Sequence, residues 1–159
     1  MKKSHVLAVL LFILCFTVQA WAQKPATKDE CVVKSHEAAA LINSKGLAVA
    51  IKEIGDPKGS FVWKDSYVFL MNLEGKMLAH PIQPELTQLP HCLLITDQTD
   101  KAIFVNFVNL ARTSGQGWVE YMWPKIGKKA PSKKITYIYR VPGKDLFVGA
   151  GVYVGGMLY

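Results

Sequence analysis

Residues 67–81 read Tyr-Val-Phe-Leu-Met-Asn-Leu-Glu-Gly-Lys-Met-Leu-Ala-His-Pro. Tyr67 to Met71 is an unbroken run of aromatic, branched and long apolar side chains, the pattern of a mostly buried strand. Asn72-Leu73-Glu74-Gly75 supplies turn residues. Lys76 to His80 returns as the hairpin partner, and Pro81, which has no amide hydrogen to give a ladder, stops it. Working downstream, Ile82 to Asp100 is irregular, with Pro84 and Pro90. Ala102 to Ala111 then places Ile103, Phe104, Phe107, Leu110 and Ala111 on one helical face. Three alternating stretches follow: Trp118–Trp123, Lys133–Val141 and Leu146–Val154. A basic turn, Pro124 to Pro131, and a tight turn, Pro142-Gly143-Lys144-Asp145, separate them. Strands joined by short turns pair antiparallel.

Working upstream, Gly55 to Gly59 is a loop. Before it, a helix starts at Lys28, with Thr27 and Glu30 forming a capping box. Val32, His36, Ala39, Ala40 and Asn43 step along one face of it. Gly46 interrupts, and Leu47, Ala50, Ile51 and Ile54 continue as a second short helix. The expected fold is α+β: a long N-terminal helix packed on a five-stranded antiparallel sheet.

The N-terminus reads as an export signal. Met1-Lys2-Lys3 is a positive start, Val6 to Val18 is almost wholly apolar, and Ala20-Trp21-Ala22 is a small-x-small cleavage site. The expected organisation is a signal peptide at 1–22, a polar leader at 23–29, one domain at 30–154 and a tail at 155–159. An uncleaved anchor is the alternative, although the run is shorter than the roughly 20 residues a bilayer asks for. Cleavage after Ala22 leaves 137 of the 159 residues and a periplasmic product, and the formal charge of +7 falls to +5 with Lys2 and Lys3. Basic residues are scattered apart from Lys125 to Lys134, so no nucleic-acid stripe is expected. Cys31 and Cys92 remain after cleavage, as a disulfide or as two buried thiols.

Catalytic and metal signatures are missing from the sequence. It has no Gly-x-Ser-x-Gly elbow, phosphate loop, Cys-x-x-Cys or His-Glu-x-x-His, so neither an enzyme nor a cofactor is expected. His80 ends a strand before Pro81, either as a ligand group or as a backbone-bonded structural histidine. A second concentration is aromatic and basic. Val119, Tyr121 and Trp123 share one strand face, and Lys133, Tyr137 and Tyr139 share a face of the next. If the two faces coincide, an ammonium and several phenols converge on a site suited to a small carboxylate. The competing reading is an aromatic core with Lys133 reaching out to water.

Several segments occur in an ordered set: Lys45–Ala50, Asp56–Phe61, Tyr67–Phe69, Leu73–Pro81, Gly115–Tyr121 and Gly149–Tyr153. In that order the chain resembles the single Cache family of extracytoplasmic sensor domains, in the second of its two common sequence types. The resemblance implies a PAS-like sheet with a pocket between the sheet and the Phe61–Asp97 region. It implies a small extracellular ligand, often a short carboxylate such as acetate, propionate, pyruvate or lactate. Most members of that family are fused to a membrane chemoreceptor or kinase and often dimerise through the N-terminal helix. This chain departs from that plan, with no second hydrophobic helix or output module after the domain. It is expected to be a stand-alone module, as a monomer or a homodimer, serving signalling or chemotaxis through a separate membrane receptor or kinase. The ligand positions expected from it are Tyr67, His80, Asp97, Tyr121, Trp123, Lys133 and Tyr137. Lys133, Tyr121 and Tyr137 would hold the carboxylate, His80 and Asp97 would form the polar edge, and Tyr67 and Trp123 the walls. Gln88-Leu-Pro-His91 departs from the family pattern in the pocket wall. The alternative function is an interaction module that keeps the fold without a ligand.

Overall fold

The computed structural model describes residues 24–155. The expected signal segment and nearly all of the tail lie outside them. Helix α1 runs Lys28–Lys45 and begins on the expected capping box: the Glu30 amide donates to Thr27 Oγ1 at 3.2 Å, and the Thr27 amide donates to Glu30 Oε2 at 2.9 Å. Gly46, at φ 85°, turns the chain into α2, Leu47–Gly55. The strands are β1 Val62–Trp63, β2 Ser66–Asn72, β3 Met77–Ala79, β4 Gln116–Pro124, β5 Pro131–Arg140 and β6 Leu146–Tyr153. A 3-10 turn at Pro84–Gln88 and helix α3, Ile103–Thr113, lie between β3 and β4.

The sheet is antiparallel, in the order β1-β2-β6-β5-β4, with β3 also paired to β2. It has six strands rather than the expected five. The extra one is the two-residue β1, too short to show a period in the sequence.

Alternation along the strands gives the sheet two buried faces. Val68, Leu70, Val148 and Ala150 pack under α1 and α2 with Ala38, Ala39, Ile42 and Ile54. Tyr67, Phe69, Met71, Ile138 and Phe147 pack on the other face, under α3 and its Ile103, Phe104 and Phe107. Burying each of the Val, Leu, Ile, Met and Phe side chains among them fully contributes about 1.5–3 kcal/mol. The face of α1 shifts from the expected one. The buried face of α1 is Cys31, Ser35, Ala38, Ala39 and Ile42, whereas His36, Ala40 and Asn43 are exposed. Small residues let α1 sit close to the sheet, and His36 instead stacks on Tyr139 at its rim, 4.1 Å between centroids. In β3, a register shift opposite Leu70 and Met71 puts Met77 and Ala79 in different cores, so His80 lies on Met77's side of the sheet. Among the described residues no helix is long and apolar enough to cross a membrane.

Candidate functional site

The α3 side of the sheet encloses a small cavity lined by Tyr67, Phe69, His80, Phe104, Phe107, Tyr121 and Trp123. The space open to a water-sized sphere is about 10 Å³, about what one water needs. The aromatic rings interlock around it. Phe107 meets Tyr121 edge-on at 5.2 Å, and Phe104 meets Trp123 edge-on at 6.0 Å.

Beside this cavity lies a buried cation. Lys134 of β5 is 1% exposed, and its ammonium stands 4.0 Å from the Tyr67 ring centroid and 4.9 Å from that of Tyr153. No carboxylate of the described residues pairs with it. The two rings return part of the lost hydration through their π faces. Burial still pulls the amine down to about 7, while Cys31 and Asp65 act in the opposite sense. A buried charge without a counter-ion is costly, and an anion placed beside it would remove much of that cost.

Polar groups with defined roles flank the cation. His80 Nδ1 accepts from the Gln83 amide at 2.9 Å and the Ile82 amide at 3.3 Å. Burial first, and then the Lys134 charge, lower the imidazole to about 3 against an opposing backbone hydrogen bond. The ring is therefore neutral, with its proton on Nε2 as a donor. The Tyr121 hydroxyl lies 3.0 Å from Thr136 Oγ1, and the Tyr153 hydroxyl donates to the Pro124 carbonyl at 2.6 Å. Burial raises the Tyr67, Tyr121 and Tyr153 phenols, so all three stay protonated.

Of the expected positions, Tyr67, His80, Tyr121 and Trp123 come together around the cavity, and Asp97, Lys133 and Tyr137 do not. The β4–β5 register explains the division. Tyr121 stands opposite Lys134, Met122 opposite Lys133 and Trp118 opposite Tyr137. Directly opposed residues share a face, so a register one residue from that expected exchanges the two lysines. Lys133 points outward and pairs with Glu120 at 2.8 Å, both about half exposed. Tyr137 lies on the α1 side beside Trp118, 5.1 Å between centroids, and donates to Gln116 Oε1 at 2.8 Å.

Asp97 is a clip. Its Oδ1 accepts from the Thr99 amide (2.7 Å), the Thr99 hydroxyl (2.5 Å) and the Lys101 amide (3.2 Å), and its Oδ2 accepts from Met122 of β4 (2.8 Å). Burial pushes this carboxyl up, but those hydrogen bonds outweigh it and hold it at about 2. Asp97, Tyr121 and Lys133 do border one open cleft of about 290 Å³ outside β4.

Of the two alternatives for Cys31 and Cys92, the structure has the free thiols and not the bridge. Both thiols are free and buried, one in each core; Cys31 lies 3.8 Å from Ser66 Oγ, while Cys92 donates to the Leu86 carbonyl.

Sequence reasoning missed Lys134 and Tyr153. A signal for them lay in Gly149-Ala-Gly151. A Cβ on Gly149 would sit 2.3 Å from Phe69 Cζ, and one on Gly151 would sit 2.9 Å from Lys134 Cε. The two glycines keep one face of β6 open for that ring and that lysine stem.

Comparison with known proteins agrees with this architecture. The family model of the Cache domain matches residues 51–157. The chain belongs to the Cache domain family. The match carries the family and not its subtype. A solved Cache chemosensory domain, described as recognising carboxylic acids, superposes with a TM-score of 0.67 at 26% identity, over 80% of this chain and 92% of that one. The periplasmic sensor domain of a chemotaxis protein superposes at 0.65 with 24% identity, over 80% and 90%. A methyl-accepting chemotaxis protein of Vibrio parahaemolyticus gives 0.65 at 19%, over 80% and 88%, a likeness of fold. In sequence, the methyl-accepting chemotaxis protein McpP of Pseudomonas putida is 37% identical over 90 residues. That stretch is 57% of this chain but 16% of the relative, so this Cache domain matches only a small part of the receptor's length.

Proposed function

We propose that this Cache domain is an exported sensor module, not an enzyme, that binds a short monocarboxylate against Lys134. The observation that carries the reading is a buried ammonium with no carboxylate partner among the described residues, set beside a cavity with neutral donors. In this arrangement the carboxylate takes the Lys134 charge, and the Tyr67 hydroxyl and His80 Nε2–H donate to it. Phe104, Phe107 and Trp123 face the ligand's short apolar end. Charge-assisted hydrogen bonds of this kind are roughly twice as strong as neutral ones. A two- to four-carbon acid exceeds the space for one water, so binding has to move a wall outward. The walls available are α3 and the 81–101 segment that Asp97 clips to β4. The carboxylic-acid chemosensor among the similar structures supports this ligand class, and the chemotaxis receptors support a membrane signalling partner. Export rests on the 1–22 segment of the sequence.

The small cavity favours a second reading, a Cache fold used for interaction without a ligand. Calorimetry with acetate, propionate, pyruvate and lactate separates the two. Binding by the native protein and by Lys133→Met, but not by Lys134→Met, is the expected pattern. No heat with any acid, or equal loss in both variants, refutes the Lys134 site.

A further inference from the structure

One pole of the domain gathers several lysines that have no carboxylate partner among the described residues. From Tyr121 to Lys144 the sequence has no acidic residue, and the β4–β5 hairpin there carries Lys125, Lys128 and Lys129, the last two exposed. The hairpin tip lies at the end of the sheet where the chain enters and leaves the domain. The Val154 amide donates to the Lys133 carbonyl at 2.8 Å, and Lys125 reaches to 5.6 Å from the Tyr153 ring. On the entering side, Ser66 donates to the Gly151 carbonyl at 2.8 Å, and the Ala26 amide donates to Asp65 at 2.7 Å. Exposed Lys24 precedes Ala26.

The acids at this pole are mostly engaged. Asp65 holds the Ala26 amide, Glu30 holds Lys64, and Glu120 holds Lys133, leaving exposed Asp29. Lys24, Lys125, Lys128 and Lys129 have no carboxylate partner among the described residues.

We propose that this pole is a docking surface for an anionic phospholipid bilayer. A narrow projecting hairpin presents its charges to a flat surface, whereas a nucleic acid would need a stripe or groove of matching width. Both ends of the described chain lie at this pole, so exposed Lys24 adds its charge to those of the hairpin. The inference does not depend on the cavity or its ligand.

The test is cosedimentation of the processed protein with vesicles of phosphatidylcholine alone or mixed with phosphatidylglycerol. Sedimentation should require phosphatidylglycerol and fade at high salt, where exposed charges are screened. The variant Lys125→Glu/Lys128→Glu/Lys129→Glu should partition roughly tenfold more weakly or less, with its melting temperature unchanged. If that variant does not fold, Lys128→Glu/Lys129→Glu, both in the exposed turn, replaces it. A control, Lys52→Glu/Lys144→Glu, should sediment as the native protein does. Equal sedimentation with both vesicle types, none with either, or full retention by the hairpin variant overturns the proposal. So does tighter binding to a short DNA duplex than to the anionic vesicles.

Discussion

Replacing Lys134 with Met keeps most of the stem and removes the charge, and its consequences depend on pH in a defined direction. The folded amine titrates at about 7 against an ordinary value of 10.5. Between those values the unfolded chain holds a proton that the folded chain lacks, so native stability rises with pH there. The cost of the buried charge is fully present below about pH 7 and is gone above about 10.5. At 1.36 kcal/mol for each pKa unit, it amounts to roughly 5 kcal/mol as an upper bound. Lys134→Met should thus be more stable than the native protein at about pH 6, with the gap narrowing steadily towards pH 10. Ligand affinity should move the opposite way. A carboxylate beside the amine raises its pKa again, so binding above pH 7 takes up a proton. The dissociation constant should then worsen by up to about tenfold per pH unit. His80, at about 3, is neutral throughout this range and adds no slope. Melting curves across pH for both proteins, with calorimetry in buffers of different ionisation enthalpy, measure both effects. Parallel stability curves for native protein and variant, or binding without proton uptake above pH 7, would refute the assignment.

Three further outcomes follow from the same geometry. Gly151→Ala forces a methyl to within 2.2 Å of Thr136 Oγ1 and 2.8 Å of the Ile135 carbonyl oxygen, and Gly149→Ala drives one into Phe69; each should cost about 1–3 kcal/mol in urea unfolding and weaken carboxylate binding, and unchanged values would mean that the β6 face is not packed as described. Asp97→Ala leaves the Met122, Thr99 and Lys101 amides without their acceptor and should cost about 1.5–3 kcal/mol. Because this carboxyl is depressed from 3.8 to about 2, its contribution is present above about pH 3.8 and lost as pH falls to 2, so the variant should lack that part of the acid-unfolding slope. Thiol titration of the processed protein, denatured without reductant, should count two thiols per chain, and a count near zero would contradict the separate placement of Cys31 and Cys92.

The sequence reading succeeded where local chemistry decides. The Thr27–Glu30 cap, the Gly46 break, the buried strand at Tyr67–Met71 and the apolar face of α3 each follow from side chains within a few residues of one another. It erred where partners are distant. On α1, apolar and small residues occur around much of the helix, so spacing alone did not select the face. The sheet did, by taking Cys31, Ser35 and Ala38 and leaving Val33 exposed at 55%. The shift at β3 depends on Leu70 and Met71 across the hairpin, and no pattern within Lys76–His80 encodes it.

The lysine pair shows the same limit at the site itself. Lys133 and Lys134 are chemically identical neighbours, and strand period assigns one to each face without saying which. Choosing the phase by the aromatics favoured Lys133, because Tyr137 and Tyr139 share its face. Those rings instead serve the α1 side, where His36 stacks on Tyr139. What fixes the phase is the pairing across the basic turn, Pro124 opposite Pro131, which carries Tyr121 to Lys134 and Val119 to Thr136. Gly151 is the cross-strand neighbour of Thr136, and Tyr153 is that of Lys134. On this face β6 thus offers the lysine stem an open place and its ammonium a ring, while on the other face Val152 and Ala150 close the α1 core. The burial of Lys134 is therefore a product of three strands acting together.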